Sequence, residues 1–168
     1  MNMKNVIFIF IVLCSSVAFS QTAKDYLKKA NAKMEQKDYK GAVVDYSKAI
    51  KINSFSFKPF LKRGKAKMEL KDFRGAIKDF NKAIYKAPNS PKAHFARGKA
   101  KMEQKDYKGA IEDYDKAIQI NSSDTLFYIN RGKAKYKLKK VNEACLDWSK
   151  AGELGSDKAY DLIRKKCN

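Results

Sequence analysis

The chain has 168 residues, room for one domain or two small ones. Lys plus Arg is 37 against 18 Asp plus Glu, a formal charge of +19, and only five of the cations are arginine. Apolar residues at 44% supply a core and exclude wholesale disorder, and three prolines with eight glycines speak against a turn-rich β fold. Three cysteines are too few for a disulfide miniprotein, and one histidine excludes a multi-histidine metal site.

The first twenty residues stand apart. Lys4 is their only charge, Val6 to Leu13 is continuously apolar, and the apolar character runs on to Phe19. That run is short of the ~20 residues needed to span a bilayer. Ala18 and Ser20 are small residues placed for a cut before Gln21. A charged start, a short apolar middle and a small-x-small end describe a secretory signal peptide over 1–20, cleaved after Ser20. A buried helix or membrane anchor is the competing reading. Lipoprotein processing at Cys14 is disfavoured by the large Leu13 before it. Cleavage removes only Lys4, so the remaining chain keeps its excess of base.

From residue 23 one unit is written four times. Lys29-Ala-Asn-Ala-Lys-Met-Glu-Gln-Lys-Asp-Tyr39 returns at Arg63–Phe73, Arg97–Tyr107 and Arg131–Val141, each start 34 residues after the last. The second half returns as Gly41–Ile50, Gly75–Ile84, Gly109–Ile118 and Glu143–Gly152. The units are 23–56, 57–90, 91–124 and 125–158, followed by a tail, 159–168, that fits a short capping helix. The first half of each unit is rich in Lys, Ala, Met, Glu and Leu, all good helix formers. The second half sets Tyr39, Ala42, Tyr46, Ala49 and Ile50 on one helical face. Asp38, Asp72 and Asp106 are N-caps for the second helices. Asn53-Ser54, Pro88-Asn-Ser-Pro91 and Asn121-Ser-Ser-Asp124 stop one pair and start the next. The fold class is all-α.

This period and pattern resemble the tetratricopeptide repeat across residues 23–158. The family's large residue at unit position 4 matches Tyr26, Phe60 and Tyr128, with His94 in the third unit. Its small position 8 matches Ala30, Gly64, Gly98 and Gly132. Position 20 is Ala42, Ala76, Ala110 and Ala144; position 24 is Tyr46, Phe80, Tyr114 and Trp148; position 27 is Ala49, Ala83, Ala117 and Ala151. Two departures are periodic: position 7 is Lys29, Arg63, Arg97 and Arg131, and position 11 is Lys33, Lys67, Lys101 and Lys135. The position-32 proline survives only as Pro88. The resemblance implies a right-handed superhelical array of four helix-turn-helix repeats whose first helices line a concave, protein-binding face.

Like charges four apart on a helix repel, so the position 7 and 11 cations call for an anion. Position 23 offers Asp45, Asp79, Asp113 and Asp147 in the same register. The expectation is a ladder of salt bridges between helices, with a row of anion-binding cations as the alternative. His94, at a packing position, reads as structural. No nucleophile elbow or phosphate loop occurs, and no enzymatic activity and no cofactor are expected.

On the concave face the resemblance exposes positions 2, 5, 9, 12 and 13. Position 5 is Leu27, Leu61, Phe95 and Ile129, and position 9 is Asn31, Lys65, Lys99 and Lys133. Position 2 is Lys24, Lys58, Lys92 and Leu126, and position 12 is Met34, Met68, Met102 and Tyr136. An apolar stripe with lysines and adaptable methionines suits an extended acidic–apolar protein segment. The family's carboxylate clamp wants lysine at position 5 and a second asparagine at position 9, and neither is here. The expected role is an exported interaction scaffold, in the periplasm or outside the cell. The rival is a binder of polyanions: acidic glycan, lipid head groups or nucleic acid, the last disfavoured by export and by the shortage of arginine. Self-association stays open.

Cys145 and Cys167 both survive leader removal. The turn at Leu154–Asp157 lies midway between them, so antiparallel helices would bring them level. An exported chain meets oxidising conditions, so a disulfide is expected, with two buried free thiols as the alternative.

Overall fold

The computed structural model describes residues 22–167; the leader, its cleavage point and Cys14 lie outside them. Among the described residues the only regular elements are helices. These are α1 (22–35), α2 (Tyr39–Ile52), α3 (Lys58–Glu69), α4 (Phe73–Lys86), α5 (Pro91–Glu103), α6 (Tyr107–Ile120), α7 (Thr125–Lys137), α8 (Val141–Glu153) and α9 (Asp157–Lys166). From α2 onward each helix packs on the next, and α3 also meets α5 while α5 meets α7. Helices α3, α5 and α7 therefore adjoin one another along one face. The tail does form a helix, α9, which begins two residues before the expected 159.

Local chemistry sets the helix ends. Asp38, Asp72 and Asp106 each accept a hydrogen bond from the backbone N–H of Gly41, Gly75 and Gly109, at 2.9, 2.9 and 3.0 Å. That satisfies one orphan donor of the first turn. A Cβ at Gly75 would lie 2.0 Å from Asp72 Oδ2, so the cap needs glycine three residues on. In α8 both partners change together: the N-cap is Lys140, Glu143 replaces the glycine, and no side chain caps the helix. The preceding helices end in a Schellman turn, with Asp38 N–H bonded to Lys33 O and Lys37 N–H to Met34 O. Such a turn holds one residue in the left-handed region, where glycine is easiest. Here it is Lys37, Lys71, Lys105 and Lys139, with φ between 59° and 62°. A side chain there costs on the order of 1 kcal/mol.

The core follows the small and large positions of the unit. Ala66, Ala76, Ala83, Ala100, Ala110, Ala117, Ala134, Ala144 and Ala151 are wholly buried. They bring helices close enough for Tyr46, Phe80, Tyr114 and Trp148 to fill the space between, each 0–1% exposed. Trp148 Nε1–H donates to Ile129 O at 3.2 Å, which satisfies the one polar atom of that side chain. On the expected second-helix face of the first unit, Ala42, Tyr46 and Ala49 are buried, and Tyr39 and Ile50 half-buried. His94 is a buried packing residue, with Nε2 2.8 Å from Pro88 O and Nδ1 3.9 Å from Asp113.

Candidate functional site

Two sets of cations separate in the structure. The first forms the expected ladder. Arg63 Nε and Nη2 donate to Asp79 at 2.9 and 2.5 Å while Lys67 Nζ lies 2.8 Å away. Arg97 and Lys101 hold Asp113 in the same way, and Arg131 and Lys135 hold Asp147. In the first pair Lys33 alone meets Asp45, at 2.7 Å. The aspartates are 1–5% exposed, so the ladder is internal. Each arginine also reaches back one helix pair: Nη1 donates to Ser47 Oγ from Arg63, to Asn81 Oδ1 from Arg97 and to Asp115 Oδ1 from Arg131. Burial works against the Arg131 guanidinium, but Asp147 and Asp115 outweigh it and hold its pKa above the ordinary value. These cations are committed to acids.

The second set is not. A groove of about 700 Å³ opens on the face of the odd-numbered helices. Its apolar floor includes Met34, Met68, Phe95, Leu126 and Phe127. Phe95 packs between Phe127 and Tyr114, with ring centroids 5.1 and 5.7 Å away and planes tilted by 44° and 47°, and is half-buried. Lys65, Lys92 and Lys99 line the same groove, with Glu69, Glu103 and Lys71 towards the far end of α3 and α5 and Asp124 before α7. Among the described residues none of these three lysines lies within 4 Å of an acid oxygen. Partial burial pushes the Lys65 pKa down, and Lys92, Lys99 and Lys62 push it further in the same direction. An anion placed among them would relieve that repulsion.

Of the residues expected on this face, the groove takes Lys65, Phe95 and Lys99. Leu61 and Ile129 are core residues, 8% and 2% exposed, and offer a ligand nothing. Leu27 packs half-buried against Ala30, Ala42 and Tyr46. Asn31 Oδ1 is engaged, accepting from Tyr46 Oη at 2.7 Å and Lys62 Nζ at 2.8 Å. Lys133 is half-buried rather than solvent-facing; burial lowers its pKa first, then Lys158 and Lys99. Lys92, Leu126, Met34 and Met68 stood in the right rows of the unit. Phe127 gave no such signal, because its position carries Asp25, Pro59 and Ala93 elsewhere. At the array's end, α8 and α9 bring Cys145 and Cys167 to a Cα–Cα separation of 5.9 Å, with the two sulfur atoms drawn together.

Three family models match the chain: two described as tetratricopeptide repeat, over 23–55 and 60–90, and one described as TPR repeat, over 98–139. No curated protein matches the sequence. Among solved structures, a MamA protein aligns with a TM-score of 0.79 at 23% identity, covering 85% of this chain and 79% of that one. The Sgt2 TPR domain from Aspergillus fumigatus aligns at 0.67 with 26% identity, over 71% and 81%. The first TPR of Spaghetti (RPAP3), bound to the HSP90 peptide SRMEEVD, aligns at 0.70 with 24% identity, over 71% and 95%. These likenesses, found with the helix pairs and the 34-residue period, fix the fold. The chain is built from tetratricopeptide repeats.

Proposed function

We propose that this chain is an exported, non-enzymatic scaffold that holds an extended acidic–apolar protein segment in its groove. In this reading residues 1–20 are removed after Ser20, and four 34-residue repeats form a right-handed superhelix in the periplasm or outside the cell. The carrying observation is the groove: Lys65, Lys92 and Lys99, without acid partners among the described residues, stand over a floor of Met34, Met68, Phe95 and Leu126. Every other basic row on these helices at positions 7 and 11 that has an aspartate in reach is tied to it.

The test uses the chain from Gln21 and a labelled peptide of alternating acidic and apolar residues, read by fluorescence anisotropy. Reversing Lys65, Lys92 and Lys99 to glutamate should abolish binding while helicity and melting stay nearly unchanged, since all three are exposed. Reversing Lys48, Lys82 and Lys116 on the even-numbered helices alters net charge equally and should do much less. Equal weakening by both triples would mean that binding follows overall charge, and the groove reading would fall.

A further inference from the structure

The groove carries charge of both signs. At position 9 of the unit Lys65 and Lys99 stand on α3 and α5, and at position 13 Glu69 and Glu103 follow one helical turn later. All four are exposed, while Met68 and Met102, at position 12 between them, are half-buried. The second and third units alone pair lysine with glutamate in this way. The first has Asn31 with Glu35, and the fourth has Lys133 with Lys137. The two units with the pair are the two whose position 9 and 13 residues line the groove.

Neither sign is used up within the chain. Among the described residues no ion pair joins Lys65 to Glu69 or Lys99 to Glu103, although each pair is four apart on its helix. An exposed pair at that spacing is weak in any case, so a ligand displaces it readily. The other charges of the groove are Lys92 and Asp124 near the starts of α5 and α7, and Lys71 beyond Glu69. Asp124 Oδ1 also caps α7, accepting from Leu126 N–H at 3.0 Å. Four lysines therefore face three acids, and a segment carrying acids alone would meet Glu69 and Glu103 as well as the lysines. Like charges set against each other cost binding.

Resting on the groove reading above, we propose that the bound segment is ampholytic: it carries an acidic and a basic residue two apart, with an apolar residue between. The lysine and glutamate of each pair are about 6 Å apart along the helix axis. Two residues of extended chain cover ~6.6 Å, with residues i and i+2 on one side and i+1 on the other. The acid then meets Lys65 or Lys99, the base meets Glu69 or Glu103, and the residue between them turns to Met68 and Phe95. Rims of opposite sign also fix which way round the segment lies, which a row of lysines alone would leave open.

Two labelled peptides test it by fluorescence anisotropy: three copies of Glu-Ile-Lys-Gly and three copies of Glu-Ile-Glu-Gly. The chain from Gln21 is used, since residues 22–167 contain every described helix and core cluster. At about 0.15 M salt, which screens long-range attraction, the mixed peptide should bind at least about threefold tighter. The chain's excess of base works the other way and favours the acidic peptide, so this ranking does not come from overall charge. Changing Glu69 and Glu103 together to lysine should reverse the ranking, and changing both to glutamine should erase it. Both residues are exposed, so helicity and melting should hold. The glutamine pair, which adds no new repulsion, decides the matter should the lysine pair unfold. Asp25 and Glu112, exposed and outside the groove, changed to lysine are the equal-charge control and should leave the ranking as it was. An acidic peptide that binds as tightly as the mixed one, or tighter, overturns the inference and leaves the acidic–apolar reading standing. Binding of neither peptide removes both. A ranking that the Glu69 and Glu103 variants do not move, or that the control pair moves equally, also overturns the inference.

Discussion

Arg97 clasps Asp113 across two helices, its Nε 3.0 Å from both carboxylate oxygens and its Nη2 2.6 Å from Oδ1. Lys101 adds a contact at 2.9 Å, and Arg97 Nη1 turns to Asn81 on the preceding pair at 2.8 Å. One buried aspartate thus contacts two cations on α5, and one arginine joins three helices.

Removing that acid should be costly. Asp113→Ala leaves Arg97 and Lys101 half-buried and without their acid, and breaking such a pair costs about 3–5 kcal/mol. Asp45→Ala in the first pair should cost clearly less, because only Lys33 answers it and that side chain is 37% exposed. Denaturant unfolding of the two variants checks this. Equal losses would show that the ladder contributes no more at its centre than at its end.

Gly98→Ala should destabilise despite alanine's better helix propensity. A Cβ there would come 2.6 Å from Tyr114 Cε1, inside a packed interface. Overpacking of this kind costs about 1–3 kcal/mol against a propensity gain of about 1 kcal/mol. Gly64 and Gly132 face Phe80 and Trp148 in the same way. A thermal melt that rises for Gly98→Ala would mean the ring can give way.

Alkaline pH should loosen the array through its buried phenols. Burial raises the Tyr46 pKa to about 12, and burial with the nearby Asp113 and Glu103 charges raises that of Tyr114. The folded state then keeps its protons while the unfolded rings lose theirs near pH 10. Stability is fully present below pH 10 and falls as pH climbs through about 12, by up to about 1.4 kcal/mol per pH unit for each ring. Lys65, with its lowered pKa, works in the opposite direction but is exposed and weaker in effect. Chemical denaturation at pH 9 and above, for the chain and for Tyr46→Phe, reads the slope. A slope unchanged by Tyr46→Phe would remove this explanation.

A bridge between Cys145 and Cys167 is expected under the oxidising conditions that export would bring. It ties α9, whose only buried residue is Ala159, to α8. Titration of the denatured, unreduced protein from Gln21 should find no free thiol. Cys145→Ser or Cys167→Ser should lower stability by about 2–3 kcal/mol for a loop of this size. Two titratable thiols would leave α9 held by packing alone.

The helix pairs, the Asp caps and the ladder are legible in the order of the residues alone. Each of these is set within one unit: Asp38 to Gly41 spans three residues and Arg97 to Asp113 sixteen, so a repeating register carries them without knowledge of the neighbours. That order leaves open which face of each odd-numbered helix is covered. Spacing put Leu61, Phe95 and Ile129 in one row, yet Leu61 and Ile129 are core while Phe95 stays half-open. The same spacing put Lys99 and Lys133 in one row, yet Lys133 is half-buried. A helical wheel fixes the direction of a side chain from its own axis. What stands in that direction is decided by the next helices in the stack. Phe127 meets Phe95 and shapes the groove, whereas α9 brings Lys158 towards Lys133 at the array's end. Only the packed structure holds that second layer of neighbours, because residues from different units reach one another through the core rather than along the chain.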